Sequence, residues 1–203
     1  MTGKDEDHLD PHDTAERRTL WWVLSINLAQ AVLAGVVGFW ALSTGLLGAA
    51  LDNLADAGVY AVSLYAVGRT VVAKARAADL SGVLLLLLGL GLLFEVVRRF
   101  FSGEEPIGLA MIIVAAANAA ANLINLRLLQ RHRKHGVHMK ASWIFTTNDM
   151  LSNTGIVVSG IAVMILGAAW PDLLIGLIIA SLVLRGGVQI LREARKARTA
   201  AGK

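Results

Sequence analysis

Apolar and polar residues are strongly segregated along this chain. Six stretches, at about 20–42, 46–67, 81–101, 107–129, 141–166 and 171–190, are apolar nearly throughout, and most charge lies in the connectors between them. A helix needs roughly 20 apolar residues to cross a hydrocarbon core of about 30 Å. The pattern therefore predicts an all-α integral membrane protein, a six-transmembrane-helix bundle. Gly and Ala are abundant inside the stretches, which suits helices packed closely in lipid.

Composition agrees. Of 203 residues, 56% are hydrophobic and only 17% are charged, against about 25% charged in a soluble domain. The absence of cysteine excludes disulfides and thiolate metal sites. Residues 1–18 hold Asp5, Glu6, Asp7, Asp10, Asp13 and Glu16. They lack the basic start and short apolar core of a secretory signal, and read as an acidic disordered cytoplasmic tail. One six-helix transmembrane domain follows over 19–197, then a short cytoplasmic tail at 198–203.

The net charge of +4 is explained by topology. Of nineteen Lys and Arg, all but Arg98 and Arg99 fall in the tails, in the second and fourth connectors, or near the last span. With six spans these regions share one side, which the positive-inside rule makes cytoplasmic, with the N and C termini inside. No nucleic-acid partner is needed; the lipid bilayer is the partner.

Charge inside a span is expensive and tends to be functional. Asp52 and Asp56, in the second stretch, are four residues apart and share one helix face, roughly 6 Å from each other. Two carboxylates this close in low dielectric repel unless a cation or a proton lies between them. Asp149, in the fifth stretch, is a third. Three carboxylates on two helices converge, on this reading, on one buried site for a divalent cation. The competing reading makes them structural polar groups bonded to neighbouring helices. Glu95 stands close to Arg98 and Arg99 at a span end, where an interfacial ion pair is expected. Asp79, Glu104, Glu105 and Asp172 lie at connectors and are assigned no function. His132, His135 and His138 are spaced by three in the fourth connector; imidazoles bind zinc-like metals, yet the Arg and Lys around them repel cations, so a solvated loop is favoured. His8 and His12 carry a still weaker metal signal.

These residues together resemble the transmembrane part of a cation diffusion facilitator. Asp52 and Asp56 with three residues between them fit that family's second-span element. Glu95, Arg98, Arg99 and Pro106 resemble the end of its third span. Asn122 matches an Asn of its fourth, and Pro171-Asp172-Leu173 with Leu191-Arg192-Glu193 match its sixth. The resemblance runs from about Leu20 to Ala197. It implies a four-ligand metal site in which the residue four before Asp149 is a ligand, and here that residue is Phe145. Asn148, one residue before Asp149, is the expected substitute, or a water. An all-oxygen site of this kind discriminates less in favour of zinc than one with imidazole.

The resulting expectation is a secondary transporter, not an enzyme, that exports a divalent transition-metal cation by proton antiport. Zinc is the first choice of cargo; manganese, iron, cobalt and cadmium remain open. No cofactor is expected, and no Gly-x-x-x-x-Gly-Lys-Ser/Thr loop is present to bind ATP. A homodimer through membrane helices is expected, since the chain stops soon after its last span, where family members continue into a cytoplasmic domain. The expected location is a bacterial inner membrane, multi-pass. One alternative is a non-transporting relative acting as a metal-binding or partner subunit. Another is an intramembrane enzyme, disfavoured because the Asp-Gly-x-x-Ala-Arg and Gly-x-Gly-Asp elements of such enzymes are absent.

Overall fold

The structure, a computed structural model, describes residues 11–66, 71–130 and 137–201. His8, His132 and His135 lie outside the described residues, as do the side chains of His12, His138, Phe145 and Asn148. Six helices form in sequence: α1 (Pro11–Trp40), α2 (Thr44–Ala66), α3 (Val71–Ser102), α4 (Gly108–Gln130), α5 (Val137–Leu166) and α6 (Trp170–Ala201). No strand occurs among the described residues.

Helices α1, α3, α5 and α6 run beyond their apolar stretches, each at the end carrying the basic connectors and tails. Helix α1 begins at Pro11, within the segment read from the sequence as a tail. Proline at a first helical position has its φ preset and loses no hydrogen bond.

Among the described residues, five helices are long and apolar enough to cross a membrane by themselves, and α2 is the sixth that is not. Its 23 residues suffice in length, at 1.5 Å of rise each. What lowers its hydropathy is the polar group Asp52, Asn53 and Asp56. The arrangement supplies the reason such a helix is tolerated: α2 packs against α1, α3, α4, α5 and α6. Helices α1, α2, α5 and α4 form a closed four-helix unit, and the α3–α6 pair packs across α2, with α6 also against α5. The molecule has the polarity of a membrane protein. Val32, Phe39, Phe94, Ile113, Leu151 and Ile165 are exposed, whereas Asn27, Gln30, Asn53, Asn118, Asn122, Asn125 and Asn153 are buried.

Glycines set the register. A methyl group built on Gly108 of α4 would stand 2.5 Å from the Gly160 carbonyl oxygen of α5, so only glycine permits this approach. On the other side of the unit, Gly38 meets Leu46 and Gly35 meets Ala50 across the tight α1–α2 turn.

The α2 N-terminus is held by Asp172, the third residue of α6 after Trp170 and Pro171. Its carboxylate accepts hydrogen bonds from the Ser43 hydroxyl (2.6 Å), the Thr44 N–H (2.6 Å), the Thr44 hydroxyl (2.9 Å) and the Gly45 N–H (3.0 Å). The Ser43 hydroxyl oxygen in turn accepts from the Leu46 N–H. Asp172 is 1% exposed, so assigning it no role was wrong: it caps a helix other than its own. The first N–H groups of a helix have no partner within it, and an anion there is favoured by the dipole. Asp172→Ala should cost about 2–4 kcal/mol, since several buried donors lose their acceptor together. Asp172→Asn, which keeps one oxygen, should cost less. Thermal unfolding in detergent checks this; an alanine variant that melts with the native protein would refute the clamp.

Candidate metal site

On α2 the most buried stripe runs through Leu46, Ala49, Asn53, Asp56 and Tyr60, at the i, i+3, i+4 spacing of one helix face. Asp56 is 6% exposed, Asn53 1%, and Asp52 is half-buried at the stripe's rim. On α5 the corresponding stripe is Asp149, Asn153, Ile156, Gly160 and Val163, with Asp149 4% exposed.

These stripes bring the carboxyl groups of Asp52 and Asp56 each within hydrogen-bonding reach of Asp149. One oxygen of Asp56 and one of Asp149 are buried without a hydrogen-bond partner. Three carboxyls from two helices thus meet in the interior, and no Lys or Arg forms an ion pair with them among the described residues. Such a group is stabilised by a divalent cation or by protons, and by little else. Among the described residues, however, no three His, Cys, Asp or Glu side chains by themselves make a set ready to hold an ion. The carboxyls meet through Asp149, and further donors are needed to close a cage. Asn148 belongs to α5 in its backbone, but its side chain lies outside the described residues.

Glu95 stands apart from this group. Its carboxylate accepts from Arg99 Nε at 2.6 Å and from Arg98 at 2.8 Å, and Arg98 also reaches Glu104 at 3.1 Å. This is the ion pair expected at the end of α3, with Glu104 added from the following turn.

Reasoning from the sequence missed most of the interior amides. Gln30 Nε2 donates to the Asn118 carbonyl oxygen at 3.0 Å and to Asn122 Oδ1 at 3.1 Å, joining α1 to α4. The signal was available: Asn27 and Gln30, Asn118, Asn122 and Asn125, and Asp149 and Asn153 each repeat at helical spacing in otherwise apolar stretches. Asn122 alone was noticed, as part of a motif.

Comparison with known proteins gives one family match and several relatives. The description "Cation efflux transmembrane domain" matches residues 20–197. A cadmium, cobalt and zinc/H(+)-K(+) antiporter of Bacillus velezensis is 25% identical over 119 residues, 58% of this chain and 38% of that protein. The zinc transporter ZitB of Yersinia pseudotuberculosis is 27% identical over 118 residues, 58% of this chain and 38% of that protein. The metal cation efflux system protein CzcD of Cupriavidus metallidurans is 24% identical over 189 residues, 87% of this chain and 60% of that protein. The matched region thus spans 38% of the first two of these curated relatives and 60% of the third.

Removing one carboxylate relieves like-charge repulsion in the metal-free protein. Asp56→Asn is therefore expected to raise its stability by about 1–2 kcal/mol at pH 8. A thermal melt in detergent with chelator reads this. A midpoint at or below that of the native protein would show that the carboxyls are not in mutual conflict.

Proposed function

Because this chain belongs to the cation efflux family, whose transmembrane domain it carries over residues 20–197, we propose that it moves a divalent transition-metal cation across the membrane in exchange for protons. The observation that carries this reading is the meeting of Asp52, Asp56 and Asp149 in the interior of the four-helix unit. Zinc heads the cargo candidates, followed by cadmium and cobalt, which the relatives' names include; manganese and iron are acceptable to the same oxygen chemistry. Asn148 or a water fills the ligand position that Phe145 leaves vacant.

Ionised, the three carboxylates attract the cation; protonated, they lose that attraction. Competition between metal and protons for one site couples the two fluxes when the bundle opens alternately to either side. The polar turns of α1, α3, α5 and α6 gather at one end of the bundle with most of the Lys and Arg. That end is cytoplasmic on the positive-inside rule, and exchange against protons entering down their gradient across a bacterial inner membrane exports the metal. A homodimer would form through exposed helix faces. Family members are transporters, so no chemical turnover is assigned.

One observation favours a second reading. Phe145 occupies a position where the family carries a ligand, and its aromatic side chain has no donor atom for a metal. A relative that binds metal without moving it would fit, as a sensor or partner subunit.

Proteoliposomes containing a pH-sensitive dye distinguish the two. Zinc added to native protein should move protons across the membrane, and nigericin should abolish the metal flux by collapsing the gradient. Asp52→Ala, Asp56→Ala and Asp149→Ala should each reduce flux by about 100-fold or more, a loss of roughly 2.7 kcal/mol at the site, while eluting as folded protein. Native protein that binds metal but shows no flux would establish the non-transporting reading.

A further inference from the structure

The carboxyls occupy only part of a deeper polar layer. Since α1 and α2 run antiparallel with Gly38 against Leu46 and Gly35 against Ala50, each step back along α1 is a step forward along α2. Gln30 therefore stands level with the stretch from Asp52 to Asp56. In the same way Gly160 lies against Gly108 and Met111, which sets Asp149 level with the stretch from Asn118 to Asn122, and Asn153 level with Asn118. All four helices of the unit place amides in this one layer, and those amides are at most 4% exposed.

The hydrogen bonds of Gln30, Asn53 and Asn153 share a common bias. Asn53 Nδ2 donates to the Ala49 carbonyl one turn back, and Asn153 Nδ2 donates to the Asp149 carbonyl one turn back, both at 2.8 Å. Gln30 Nε2 is taken up by Asn118 and Asn122. For Gln30, Asn53 and Asn153 the nitrogen is used and the oxygen is left over; Asn118 has neither side-chain atom paired, and Asn122 accepts through its oxygen with its nitrogen left over. Gln30 Oε1, Asn53 Oδ1, Asn118 Oδ1 and Asn153 Oδ1 are buried with no hydrogen-bond partner. Gln30 and Asn122 bond to one another across the α1–α4 interface, as amides that hold helices together do, but the side-chain oxygens of Asn53, Asn118 and Asn153 find no such partner. Leaving buried acceptors unmatched costs about 1–3 kcal/mol each, and a cation is the ligand that recovers this from oxygens alone.

We propose that Gln30, Asn53, Asn118 and Asn153 complete the carboxylate site as neutral oxygen ligands, so that it accepts hard, six-coordinate divalent cations such as manganese as well as zinc. The proposal rests on the reading of Asp52, Asp56 and Asp149 as the cargo site. Zinc is satisfied by four ligands in a tetrahedron, which carboxylates and a water supply. Manganese takes six oxygens in an octahedron, and needs the amides.

The test is equilibrium binding to the full chain purified in detergent, with manganese followed by the electron paramagnetic resonance of the free ion and zinc by competition with a fluorescent chelator. Asn153→Leu and Asn118→Leu should each weaken manganese binding by about tenfold or more and zinc binding much less, so that the ratio of affinities changes. Asn153→Asp, which keeps an oxygen, should retain manganese binding; it also serves if a leucine variant fails to fold. Equal loss of both metals, or no change in either, would overturn the proposal by leaving the amides a structural role. If Asp56→Asn abolishes binding while the amide variants keep the native ratio, only the amide proposal fails. Native protein that binds neither metal overturns this proposal and the site together.

Discussion

A carboxylate within a hydrocarbon layer has no water to solvate it and must find its partners in protein. Helix α2 carries two such groups on one face, and much of the architecture answers to them. A helix with Asp52, Asn53 and Asp56 in its middle is not apolar enough to meet lipid on all sides, so it is enclosed by the other five. The surrounding helices are arranged inside out relative to a soluble bundle, with large apolar side chains outward and amides inward. The burial that makes this interior costly also makes it selective for positive charge.

Enclosing α2 is of use only if its depth is fixed, because a shift of one turn would carry Asp52 and Asp56 away from Asp149. Two devices set that depth. Asp172 ties the first turn of α2 to the first turn of α6 through four hydrogen bonds in a dry environment, where each is stronger than in water. The glycine contacts fix α1 against α2 and α4 against α5 at distances no larger residue allows. The site is thus held from the far end of the bundle, about 12 Å of helix rise from Thr44 to Asp52, leaving the end with the basic connectors free of that clamp.

The chemistry of the donor set follows from what the bundle buries. It offers carboxylate and amide oxygens, with no thiol anywhere in the chain and no described imidazole in the interior. Oxygen donors are hard and suit a wider range of divalent cations than nitrogen or sulfur does.

Helix identity and the Asp52–Asp56 pair were legible in the sequence because both are local: apolar runs of sufficient length must be helical in lipid, and residues four apart on a helix must share a face. The amides of α1 and α4 were visible as repeats at helical spacing, but a repeat does not say which neighbour it faces. Asp172 was misread for the same reason. It lies 128 positions from Thr44 along the chain, and adjacency to a connector in sequence says nothing about capping another helix in space. The sequence by itself determined that this is a helical membrane protein with carboxylates at membrane depth, since hydrophobic length and local spacing are properties of single segments. Only the tertiary structure decided that Asp149 meets the α2 pair, that four helices gather their amides in that layer, and that Asp172 sets the depth. Those depend on glycine contacts and hydrogen bonds between segments far apart in the chain, which no local pattern encodes.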